Sequence, residues 1–183
     1  MSIRGDTLRC VCIFFLFSGV FCVSTGMARG PSQLVLNRQF LPSQLQAMPC
    51  SSSPPGLRYH RREYAGHRAF EWQLRLRAPS SGTPPLYERL RSADFTVVFP
   101  VDRPITVHWN TGSHAEVTDF QPHVEALKAG VAIEFESFGG RSSDGVLPYF
   151  NLATQGGGLI VAIGWSGDWK ASFRKTAGDK VHI

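Results

Sequence analysis

The sequence predicts an all-β chain, a large antiparallel two-sheet β-sandwich (a supersandwich). Three observations carry that expectation. Ala69–Arg77 alternates strictly, with Phe70, Trp72, Leu74 and Leu76 on one face and Glu71, Gln73, Arg75 and Arg77 on the other. This is the period of two of a strand with one buried and one wet side. Further apolar runs recur about every 8–20 residues, divided by Gly, Pro, Ser, Asn and Asp, as in a sandwich. No segment carries a persuasive apolar stripe at helical spacing; Gln121–Ala129 alone has room for a turn of helix.

Composition agrees. At 183 residues the chain suffices for one domain with a sizeable core. Apolar residues make up 43% and charged residues 18%, which excludes a disordered chain. The 18 Gly and 12 Pro favour short elements joined by turns. A net charge of +5 is too small and too scattered to point to nucleic acid.

The N-terminus reads as an address. Arg4 and Arg9 precede the greasy run Val11–Val23, and small residues follow at Ser24, Thr25, Gly26 and Ala28. That order is a secretory signal peptide over residues 1–28, cleaved after Ala28, with the domain over residues 29–183. The localisation expected is therefore export, periplasmic or extracellular, and the membrane is met only through the signal segment. An uncleaved anchor is the weaker reading, because the run is shorter than the roughly 20 residues a span needs. Cys10, Cys12 and Cys22 leave with the signal. Cys50 then stands alone in a Pro/Ser-rich loop, so no internal disulfide forms.

The remaining elements follow in order. Arg29–Gln46 reads as an extended arm or edge strand, and Pro49–Gly56 as a loop. After the Ala69–Arg77 strand, Pro79–Pro85 turns the chain. Leu86–Phe99 holds one or two strands, the clearer one at Phe95–Phe99. Ile105–Trp109 and Val131–Phe135 alternate, Leu159–Ile163 is a continuous apolar strand, and Ala171–Lys175 alternates again. Gly156-Gly157-Gly158 reads as a hairpin connection feeding Leu159–Ile163. It is not followed by the helix N-terminus that a phosphate loop needs. At the end, Lys180–Ile183 looks like the start of a hairpin arm. This predicts a chain cut within an element, with an exposed edge and poor solubility.

Chemistry concentrates in Ser137–Arg174. Trp165 and Trp169 flank Ser166-Gly167-Asp168. Two indoles at a turn would stack on sugar C–H faces while Asp168 accepts hydroxyl protons and Arg141 donates. The competing expectation is that one Trp fills the core and Arg141 fastens its own loop; both environments want the same residue types.

This tract resembles the N-terminal domain of the glycoside hydrolase family 36 α-galactosidases. The resemblance rests on Gly140–Ser143, Pro148–Leu152, Gly156–Gly158 and Gly164–Trp169 in order. Phe70–Leu74 and His108–Ser113 add to it upstream. It covers roughly Tyr59–Arg174, and it departs in the Arg-rich stretch Arg58–Arg91 and at the C-terminal end. The resemblance implies a β-sandwich packed on a (β/α)₈ barrel whose aspartates perform retaining α-galactoside hydrolysis. This chain lacks that barrel, which takes about 250 residues. It is therefore expected to hold no catalytic residue and no cofactor. Its role is accessory, with a galactoside or oligosaccharide and the downstream barrel as partners, and a homo-oligomer of the parent left open. A free-standing secreted carbohydrate-binding module is the alternative.

Three other chemistries are weaker. Glu134 and Glu136 share a strand face at about 6–7 Å, from the strand rise, whereas a retaining glycosidase needs two carboxylates about 5–5.5 Å apart. They read as a solvated stripe. His108, His114 and Glu116 form the one candidate metal cluster, with His114 and Glu116 lining a strand face. The closer His pair and the distant third His of a cupin-like centre are missing. The arginines at 58, 61, 62, 68, 75, 77, 89 and 91 read as wet strand faces and domain contacts rather than a nucleic-acid surface.

Overall fold

The computed structural model describes residues 9–17, 32–35, 57–64, 69–76, 81, 91–99, 103–155, 157–176 and 178–183. Twelve strands are present among them: β1 (Arg9–Phe17), β2 (Ser32–Val35), β3 (Leu57–Tyr64), β4 (Ala69–Leu76), β5 (Phe95–Val98), β6 (Thr106–Asn110), β7 (Pro122–Ala126), β8 (Ala132–Glu136), β9 (Tyr149–Thr154), β10 (Gly157–Ile163), β11 (Lys170–Lys175) and β12 (Lys180–His182). No helix occurs among the described residues. The all-β sandwich expected from the sequence is what the chain forms.

One sheet runs β3-β4-β1-β10-β9-β6-β7 and the other β2-β5-β12-β11-β8. Every pair is antiparallel except β2–β5. The sheets close on one apolar layer. Val107, Phe150, Leu152, Leu159 and Val161 come from the first sheet. Phe95, Val97, Phe135, Phe173 and Val181 come from the second. Phe150 lies 4.8 Å from Phe135 and 5.0 Å from Phe173 between ring centroids, so aromatic packing joins the two sheets.

Three expectations change. Gln121–Ala129 is not helical. Pro122–Ala126 is β7, which among the described residues is an edge strand paired with β6 alone. Its exposed side chains bury nothing that a strand pattern would reveal. The last strand is not an exposed edge either. β12 lies between β5 and β11, Val181 is buried, and Ile183 exchanges two backbone hydrogen bonds with Phe95. Glu71, expected on a wet face, is buried and accepts a 2.8 Å hydrogen bond from the Tyr64 hydroxyl. Arg9–Phe17, within and just before the run expected to leave as a signal peptide, is paired on both sides, by β4 and β10. Residues 18–31, with the expected cleavage point, and Cys50 lie outside the described residues.

Candidate functional site

Three connections meet at one end of the sandwich: residues 111–121 between β6 and β7, 137–148 between β8 and β9, and 164–169 between β10 and β11. Backbone bonds lace the first to the second. Gly112 N–H donates to Gly145 O at 2.9 Å, and Ser113 N–H to Ser143 O at 2.8 Å. Gly112 must be glycine here, because a Cβ would lie 2.0 Å from Ser143 O. The second is laced to the third. Ser142 N–H donates to Ser166 O at 3.2 Å, and Gly140 N–H to Asp168 Oδ1 at 2.8 Å.

All four residues singled out from the sequence thus lie on this end, but in different environments. Trp169 is 7% exposed and packs edge-on against Phe150 at 5.7 Å. Its indole N–H donates to Ser142 O at 2.7 Å, and its backbone N–H donates to Ser137 Oγ at 3.0 Å. The ring is core and offers a sugar no free face. Trp165 is half-buried against the same core, and its Nε1 would lie 2.9 Å from a Cβ at Gly167, so glycine lets the indole fold over its own turn. Asp168 is exposed, with one carboxylate oxygen held by Gly140 N–H. Arg141 is exposed and donates to Asp144 Oδ2 at 2.8 Å, so it braces its own loop while its guanidinium still faces water.

Sequence reasoning missed Asp144 and Asp119. The Asp144 side chain is only 9% exposed and sits between Arg141 and His114, whose Nδ1 lies 3.2 Å from Oδ1. This carboxylate ties the first connection to the second. Asp119 accepts from His114 N–H at 2.9 Å, from Glu116 N–H at 3.1 Å and from Ser113 Oγ at 3.4 Å. The backbone N–H of His114, the largest influence, and that of Glu116 hold its carboxyl below the ordinary carboxylate value. The dipeptide Asp144-Gly145 is a turn signal, which marks the bend but says nothing of the partners of the carboxylate.

The weaker chemistries fall elsewhere. His114 and Glu116 lie in a loop, not on a strand face, and Glu116 Oε2 accepts from Thr118 Oγ1. His108 sits on β6 with its Nε2 3.1 Å from Thr106 Oγ1. No group of three or more His, Cys, Asp or Glu side chains arranged to hold a metal occurs among the described residues. Glu134 and Glu136 are exposed on β8, where Glu136 pairs with Lys170 and holds its ammonium above the ordinary value. Among the described residues no helix is long and apolar enough to cross a membrane. No family model matches the chain, and no curated protein or solved structure is similar to it.

Proposed function

We propose that the chain is the exported, non-catalytic accessory domain of an α-galactosidase-like glycoside hydrolase. Its loop end meets the sugar at the rim of a pocket formed by a catalytic barrel. The observation that carries this reading is the gathering of Arg141, Trp165 and Asp168 on one end of a β-sandwich. They sit in the same Gly-rich segments, Gly140–Ser143 and Gly164–Trp169, that resemble the family. A half-buried indole held by packing presents a rigid apolar edge, and an anchored carboxylate and a guanidinium supply directed hydrogen bonds to hydroxyls. Trp169 holds the two loops together from beneath.

A free-standing carbohydrate-binding module without a barrel is the second reading. It is favoured by the exposure of Arg141 and Asp168, which leaves both groups in water rather than in a domain interface. Under either reading the chain binds and does not hydrolyse. Calorimetric titration with methyl α-galactoside should give a dissociation constant on the order of 1 mM, about −4 kcal/mol. Trp165→Ala should abolish the heat. Turnover of a chromogenic α-galactoside by the purified chain would overturn the accessory role. A titration without heat up to tens of millimolar would remove the loop end as a sugar contact.

A further inference from the structure

A second surface lies apart from Arg141, Trp165 and Asp168, although four of its residues fall in the segments His108–Ser113 and Pro148–Leu152: the outer face of the seven-stranded sheet over β9, β6 and β7. Strand alternation sets its members. Val107 and Leu152 are partners across β6 and β9, and both are fully buried. Their neighbours His108 and Asn151, also partners, point the other way, with His108 exposed and Asn151 half-buried. Val124 of β7 lies opposite His108 and is exposed.

Two large exposed rings stand at the ends of these strands, Tyr149 at the start of β9 (57%) and Phe120 in the connection just before β7 (55%). Asn110 links the two segments by hydrogen bonds. Its carbonyl accepts from Leu147 N–H, two residues before Tyr149, and its side-chain amide donates to Phe120 O at 3.0 Å. Phe120 has φ +61°, a left-handed conformation costly for a bulky residue. It is held there by that amide and by Gln121 N–H donating to Thr111 Oγ1 at 2.8 Å. The backbone thus spends conformational strain to keep an aromatic ring in water.

The charge pattern selects the ligand. The strip carries phenol, phenyl, amides, imidazole and hydroxyl, with no carboxylate, guanidinium or ammonium on β9, β6 or the outward positions of β7. The nearest charges are Asp119, which precedes Phe120 and is held by the His114 and Glu116 amides, and Glu125, on the opposite side of β7 and bonded to Trp109 Nε1; others, such as Glu134, Glu136 and Lys170, lie on the other sheet. A nucleic-acid partner would need cations on the strip to meet its phosphates. An uncharged polyhydroxylated chain needs what is present: ring faces for its C–H surfaces and neutral donors and acceptors for its hydroxyls. Strands about 4.8 Å apart also set side-chain rows at close to the spacing of successive sugar rings.

We propose that this face binds an uncharged polysaccharide chain, with Tyr149 and Phe120 as stacking platforms and Asn110, His108 and Asn151 as polar contacts. It does not depend on the loop end meeting a galactoside, and the test separates the two. The full chain is run by native affinity electrophoresis through gels containing galactomannan, xylan, mixed-linkage β-glucan or hydroxyethylcellulose, with anionic polygalacturonate as the charge control. Retardation is expected in at least one neutral gel and not in polygalacturonate alone. Tyr149→Ala should weaken it about ten-fold, Tyr149→Phe should largely keep it, and Trp165→Ala should leave it unchanged. Thermal midpoints of the variants confirm folding, which an exposed ring does not control. Migration unaffected by every neutral polysaccharide, or retardation that survives Tyr149→Ala in folded protein, overturns the proposal. Retardation lost in Trp165→Ala but not in Tyr149→Ala assigns the glycan to the loop end instead.

Discussion

Replacing Trp169 by alanine tests the assignment of that ring to the core. The side chain is 7% exposed, touches Phe150 edge-on and donates its N–H to Ser142 O. Truncation of a buried Trp costs about 3–5 kcal/mol through lost burial and the cavity left behind. The orphaned Ser142 carbonyl, if it stays dry, adds about 1 kcal/mol. The sum, about 4–6 kcal/mol, is a large part of the 5–15 kcal/mol that a domain possesses. For a domain of this size it lowers the melting temperature by roughly 8–24 °C. Trp169→Phe keeps most of the packing and loses the hydrogen bond, so about 1–2 kcal/mol is expected. Urea titration followed by tryptophan fluorescence reads both variants. A loss below about 1 kcal/mol for Trp169→Ala would show that the ring is not core. It would return Trp169 to the sugar-contacting role that its neighbour Trp165 holds in this account.

Three further outcomes follow from particular contacts. Gly112→Ala forces a Cβ onto Ser143 O and should cost about 1–3 kcal/mol by denaturant titration; a neutral result would mean that the loops at 112 and 143 do not touch. Asp119, with its folded value lowered, contributes loop order that is fully present above the ordinary carboxylate value and is lost as pH falls through the lowered one. Protection factors of the His114 and Glu116 amides, corrected for the intrinsic pH dependence of exchange, should therefore fall in acid, and Asp119→Asn should remove that fall; a protection factor that still falls in the variant contradicts it. The proposed export predicts that chain recovered outside the cell starts at Arg29 by intact mass. Loss of the leader takes β1 with it, so β4 and β10 amides should then exchange faster than in the full chain, and a secreted chain that keeps Arg9–Phe17 would refute the signal-peptide reading.

Much of the fold was legible because burial imposes period two. The apolar run at Leu159–Ile163 became β10, and the alternation at Ala171–Lys175 became β11, with Phe173 fully buried. Illegible elements were those defined by pairing rather than burial. β7 exposes nearly every side chain and is a strand only because β6 bonds it. β12 has three residues, and its interior place depends on Phe95, distant in sequence. Glu71 looked solvated by alternation alone, since the Tyr64 hydroxyl that covers it comes from the neighbouring strand.

The site was half legible for the same reason. Residue types and glycine-rich turns marked Gly140–Ser143 and Gly164–Trp169. That Gly140 N–H reaches Asp168, and that His114 reaches Asp144, are facts of tertiary closure with no local signature. The two tryptophans sit four residues apart at the ends of one turn, and only the packing against Phe150 separates the core ring from the partly exposed one.

The central claim is that the loop end contacts sugar through Trp165 while Trp169 is structural. Tryptophan indole N–H signals test it most directly, and the chain has four. Two-dimensional ¹H–¹⁵N spectra during titration with methyl α-galactoside should move the Trp165 indole resonance together with the Gly140 amide, which is bonded to Asp168. The Trp169 resonance, bonded to Ser142 O, should stay in place. Movement of neither Trp165 nor Gly140 at saturating sugar, or movement of Trp169 alone, would contradict the account.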